Sequence, residues 1–108
     1  MMDQKGLNTF MVFLREKLET LVYADVSITE EIYEDSSAIR ITIRPEENSM
    51  QRFDHRISRY EVEYSCDYFG MERYADLVSE KILGEYTNSI LDSFIKGNKV
   101  SIKARIIH

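Results

Sequence analysis

Apolar positions along this chain fall into two periods, and the switch between them is sharpest from Arg59 to Leu83. Tyr60, Val62, Tyr64 and Cys66 alternate with Arg59, Glu61, Glu63 and Ser65. A period of two predicts a strand with one buried face. After a turn at Asp67–Gly70, Met71, Tyr74, Ala75, Val78, Ile82 and Tyr86 follow helical spacing. A strand feeding a helix in this way predicts a two-layer domain, with the helix laid on an antiparallel sheet.

The rest of the chain extends that layout. Leu7, Phe10, Met11, Leu14, Leu18, Leu21 and Val22 predict a first helix over residues 7–23. Val12 and Phe13 stand off its apolar stripe. A strand over 26–33 and a second over 38–44 flank the turn cluster Glu34–Ser37, and Pro45 ends the second. Ile39, Ile41 and Ile43 point inward there, with Arg40, Thr42 and Arg44 outward. The stretch Glu46–His55 is polar but carries Met50 and Phe53, and it reads as a long connecting loop. The helix after Gly70 is expected to kink near Gly84, or to restart as a short helix over 87–96. Val100, Ile102, Ala104 and Ile106 alternate with Ser101, Lys103 and Arg105, which predicts a last strand over 99–107. The expected fold is α+β. Helices pack on one face of a mainly antiparallel four-stranded sheet, in the order α-β-β-β-α-β, as a single domain over 1–108.

Composition narrows the class without naming a function. Apolar residues are 44% and charged residues 31% of 108, a balance that folds rather than one that stays disordered. The longest apolar run, Phe10–Leu14, is far too short to span a membrane, and no secretory leader is recognisable. Cys66 is the single cysteine, so no disulfide forms within the chain. It falls on an apolar side, with no histidine or helix start in its local sequence to activate it. These features suit a reducing cytoplasm.

The net charge of −5 is unevenly spread. Residues 25–50 carry seven acids and two bases, whereas residues 97–108 carry Lys99, Lys103 and Arg105 and no acid. An acidic chain argues against general nucleic-acid binding, and three bases hold a phosphate backbone only weakly at physiological salt.

Candidate chemistry is sparse. His55 and His108 have no second histidine, cysteine or paired carboxylate at ligand spacing, and Glu30, Glu31, Glu34 and Asp35 lack the calcium-loop pattern. There is no phosphate-cradling glycine motif and no nucleophile elbow. The expectation is a protein that is not an enzyme and takes no cofactor, metal or small-molecule substrate. Its candidate functional residues are interface residues. Val12 and Phe13 add apolar area off the helical stripe. Glu30, Glu31 and Glu34 make one side of the sheet acidic, and Lys99, Lys103 and Arg105 make another basic. Met50 and Phe53 are anchors in the loop. Unlike sides suit a head-to-tail contact between copies, which closes into a ring when the rotation permits.

Several segments together carry a family resemblance. They are Ile28-Thr29-Glu30-Glu31-Ile32, Ile41-Thr42-Ile43-Arg44-Pro45, Gln51-Arg52-Phe53, Arg59-Tyr60-Glu61-Val62-Glu63-Tyr64 and Ala75-Asp76-Leu77-Val78-Ser79-Glu80-Lys81-Ile82-Leu83. In this order, over roughly Leu7–Leu83, the chain resembles small tail-terminator or tail-completion proteins of phages, or phage-tail-like particles, of Gram-positive bacteria. The resemblance implies a homo-oligomeric ring, commonly a hexamer, that caps the tail tube and joins it to the neck or collar. It implies tube and neck proteins as partners, assembly in the host cytoplasm and a final place in the particle. It supplies no catalytic residue. The competing expectation is a small acidic phage-encoded regulator that binds a host protein, perhaps at a nucleic-acid site.

The expected core is Leu14, Leu18, Ile41, Ile43, Val62, Tyr64, Val78 and Ile82. Truncating a large aliphatic among them, as in Ile41→Ala, is expected to cost about 2–5 kcal/mol in urea unfolding.

Overall fold

The computed structural model describes residues 2–46 and 50–97, with side chains to residue 92. The order of elements is α1 (Gln4–Leu21), β1 (Asp25–Ile32), β2 (Ser37–Arg44), β3 (Phe53–Ser58), α2 (Arg59–Phe69) and α3 (Met71–Gly97). The class is α+β, as the periodicity predicts.

Helix α1 starts where Asp3 accepts a hydrogen bond from the Gly6 N–H at 2.8 Å, satisfying one of the open donors of the first turn. Its buried residues, Leu7, Phe10, Leu14 and Leu18, repeat at three and four. β1 and β2 form an antiparallel hairpin with Val26 opposite Ile43 and Ile28 opposite Ile41. β3 pairs antiparallel with the other side of β2, Ile57 opposite Ile39 and Phe53 opposite Ile43. β2 is therefore central, and both β1 and β3 are edge strands.

The inner face carries Val26, Ile39, Ile41, Ile43 and Ile57, all buried. Helices α1 and α3 pack against each other there. Phe10 of α1 stacks on Tyr74 of α3, ring centroids 5.4 Å apart, and Lys17 meets Asp76 at 2.6 Å. The α3 stripe of Tyr74, Ala75, Val78, Ile82 and Tyr86 is buried as its spacing predicts.

Three expectations are corrected. The segment 59–66 is not a strand but the start of α2. Val62 and Cys66 are four residues apart, so a helix buries them together as well as a strand would. Ser58 decides between the two: its hydroxyl accepts from the Glu61 N–H at 3.1 Å, an N-cap three residues ahead of a glutamate. Arg59 and Glu63, 3.2 Å apart, support the first turn. Consequently Tyr64 is outside the core, 64% exposed, while the other seven expected core residues are buried.

The third strand lies earlier, at Phe53–Ser58, in part of what reads as a polar loop. Its Phe53 and Ile57 face in and its Asp54 and Arg56 face out. The described residues thus hold three strands, in the order α-β-β-β-α-α, and the expected last strand over 99–107 lies outside them. Helix α3 continues through Gly84 without a break, so neither a kink nor a restart occurs.

Two glycines behave differently. Gly70, between α2 and α3, has φ of 87°, and its N–H donates to the Cys66 carbonyl at 2.8 Å. That backbone is strained for any other residue. Gly84 is helical, and a Cβ there would meet nothing within 4 Å. Gly84→Ala is therefore expected to stabilise the fold by about 0.5–1 kcal/mol, and Gly70→Ala to destabilise it by about 1–3 kcal/mol. Paired urea titrations check the opposite signs.

Candidate functional site

The α2 helix buries Val62 and Cys66, and at about 100° per residue the direction opposite their mean belongs to Tyr64. Tyr60 and Tyr68 lie one turn to either side of it. The three are 76%, 64% and 74% exposed, and the Tyr60 and Tyr64 rings stack at 6.4 Å. Glu61 and Asp67 border this row. The outcome is an aromatic stripe pointing straight away from the core, with acids at its margins. Tyrosines so placed offer large rigid apolar area with a hydroxyl still in water, the composition favoured at the centres of interfaces. Sequence reasoning missed the stripe because it assigned the segment to a strand. The Ser58-x-x-Glu61 cap, with tyrosines repeating every four residues, was the available signal.

The expected interface residues are not gathered into one place. Val12 is exposed on α1 and borders a small cleft with Met11 and Ile28. Phe13 is half-buried and packs against the core. Met50 is fully exposed. Phe53 belongs to β3 and packs edge-on against Tyr86 of α3, centroids 6.0 Å apart. Together with Pro45, Arg52 and Ile90 it lines a cleft of about 350 Å³. Lys99, Lys103 and Arg105 lie outside the described residues.

The acids of the first hairpin are already engaged. Glu30 accepts from the Gln4 amide at 2.9 Å and stands 3.5 Å from Arg59. Glu31 accepts from Arg56 Nε at 2.8 Å and lies 3.8 Å from Arg40. The Arg56 hydrogen bond is the main reason its carboxyl is held below the usual range. Glu34 is exposed at the hairpin end.

The outer sheet face is a polar network centred on Asp54. Arg40 Nε donates to it at 3.0 Å, the Thr42 hydroxyl at 2.7 Å, and Arg52 Nε lies 3.0 Å from its other oxygen. The hydrogen bond from Arg40 leads in pulling the Asp54 pKa down to about 2, and Thr42 adds to it. Burial on α2 pushes the Cys66 thiol up to about 11, which keeps it a protonated core residue at neutral pH. His55 Nδ1 lies 3.2 Å from Glu85. Among the described residues no group of three or more His, Cys, Asp or Glu side chains is placed to hold a metal ion. Among them, too, no helix is long and apolar enough to cross a membrane.

Comparison with protein-family models, with curated proteins and with solved structures finds no match to this chain.

A depressed carboxylate pKa stabilises the fold above its unfolded value and ceases to do so as pH falls through the folded one. For Asp54 that window runs from 3.8 down to about 2. Asp54→Asn is expected to melt below wild type at about pH 6, with the gap closing by about pH 2. Thermal unfolding across that range checks it.

Proposed function

We propose that this chain is a non-enzymatic assembly subunit that associates head to tail with copies of itself through surfaces including the α2 tyrosine row. The observation that carries the proposal is the position of Tyr60, Tyr64 and Tyr68 on the face of α2 opposite its buried residues. A fold gains nothing internally from three large aromatics in that place, whereas an interface gains its central contacts. The exposed Ile90 and Leu91 on α3, beyond the last buried residue Tyr86, add apolar surface of the same kind.

The resemblance to phage tail-terminator proteins supplies the setting. In that setting the copies form a ring, commonly of six, at the end of the tail tube. Tube and neck proteins lie on its two sides. Assembly takes place in the bacterial host and the ring stays in the particle. A second reading, an acidic regulator of a host protein, draws on the same row. Glu61 and Asp67 beside the tyrosines favour a basic partner surface, through charge and through contacts between cations and aromatic faces.

Sedimentation over a wide concentration range tests both. Wild type is expected to self-associate, and Tyr60→Ser/Tyr64→Ser/Tyr68→Ser to require at least about tenfold more protein to do so, with an unchanged thermal melt. A wild type that stays monomeric at every concentration, and binds one host protein in equal proportion, overturns the ring in favour of the regulator.

A further inference from the structure

Beside β3 runs a groove of about 390 Å³. Three consecutive residues of the strand line it: His55, Arg56 and Ile57. Side chains of consecutive strand residues point to opposite faces, so a cavity touched by all three lies along the strand's open edge. Phe69 of α2 and Leu77 and Val78 of α3 form its apolar walls. Phe69 and Leu77 are among the large apolar residues left exposed. β3 pairs only with β2, and no described backbone hydrogen bond outside the helices and strand pairs involves Phe53–Ser58. Alternate N–H and C=O groups of β3 therefore face the groove. An unpaired edge beside an apolar wall is the arrangement that accepts an added strand.

The chain itself contains a segment with the matching pattern. From Lys99 to Ile106, Val100, Ile102, Ala104 and Ile106 alternate with Lys99, Ser101, Lys103 and Arg105. We infer that this segment of a neighbouring copy adds to the open edge of β3 as a fourth, antiparallel strand. The inference rests on the self-association reading and names one contact that joins the copies.

Charge selects a register. With Lys103 opposite Asp54 and Ser101 opposite Arg56, Val100 faces Ile57 and Ile102 faces His55, toward the apolar walls. A slip of two residues either way sets Lys103 or Lys99 against Arg56, a like-charge pair that disfavours it.

Reach decides that the donor is another copy. Helix α3 passes the groove at Leu77 and Val78 and continues unbroken to Gly97, about 28 Å further at 1.5 Å per residue. Lys99 and Val100 follow within three residues of Gly97, a span of about 10 Å at full extension. They cannot return to Ser58 and Ile57 of their own chain. A donor and an acceptor at separate places on one molecule make the contact heterologous, the kind that closes into a ring or propagates.

The test uses the full chain in two variants. Ser101→Pro/Ile102→Pro removes two successive N–H groups from the donor, one of which must face β3, and leaves the described fold untouched. Leu77→Asp places a charge in the acceptor groove at a partly exposed position, and Phe69→Ser serves as a second acceptor variant should Leu77→Asp melt early. In sedimentation, wild type is expected to form higher assemblies and each variant alone to stay monomeric. An equimolar mixture of the two is expected to yield dimers and nothing larger, because only one intact donor–acceptor pair remains. Amide exchange in the wild-type assembly is expected to slow at alternate residues of β3. If wild type and both variants assemble alike, or if protection appears along β1 and not β3, the strand donation is overturned while self-association stands. If wild type is monomeric throughout, the self-association reading and this inference fall together.

Discussion

Everything in this fold depends on covering one strand. Ile39, Ile41 and Ile43 of β2 project from a single face and none retains any exposure. A three-stranded sheet cannot shield such a row by itself, since each flanking strand covers only an edge. Two helices must lie across it, and α1 and α3 do so while packing on each other through Phe10 and Tyr74. Burying those isoleucines therefore fixes the sheet order, the side on which the helices sit and the contact between them. It also determines what stays uncovered, namely the outer sheet face, the two strand edges and the far side of α2.

Those uncovered regions are not equivalent. The outer face is closed electrostatically: Asp54 is shared by Arg40, Thr42 and Arg52, and Glu31 by Arg56 and Arg40. Groups so paired have little left to offer a partner, because recruiting them means breaking an existing contact. The same holds for Glu30, held by Gln4 and Arg59. Acid count alone makes the first hairpin look like the natural docking point for a basic segment. The pairing shows that most of this charge is spent inside the subunit.

What remains open is apolar and backbone surface. The tyrosine row of α2 and the edge groove of β3 share a border, since α2 presents Tyr60, Tyr64 and Tyr68 outward and Phe69 toward the groove. One short helix thus separates two surfaces that a neighbour could meet together. Its placement follows from Ser58, which ends β3 and caps α2 with the same residue. It follows also from Gly70, whose positive φ turns the chain into α3 within one position.

The sequence by itself determined the elements whose apolar spacing has a single interpretation. The stripes of α1 and α3 and the isoleucines of β2 repeat over enough residues that one period fits and the other fails, and the α+β class follows from them. It did not determine the segment 59–66, because Val62 and Cys66 satisfy a period of two and a spacing of four alike. Only the packed structure showed which tyrosines its helical form throws outward. Nor could it reveal β3, whose inward positions are just Phe53, His55 and Ile57. A strand that short and polar is a strand because β2 offers it an edge, and that edge exists only once the hairpin has folded. The candidate interface depends on the same two segments. Local pattern is decided by neighbours a few residues away, whereas an exposed row or an open edge is decided by which surfaces the rest of the chain leaves uncovered.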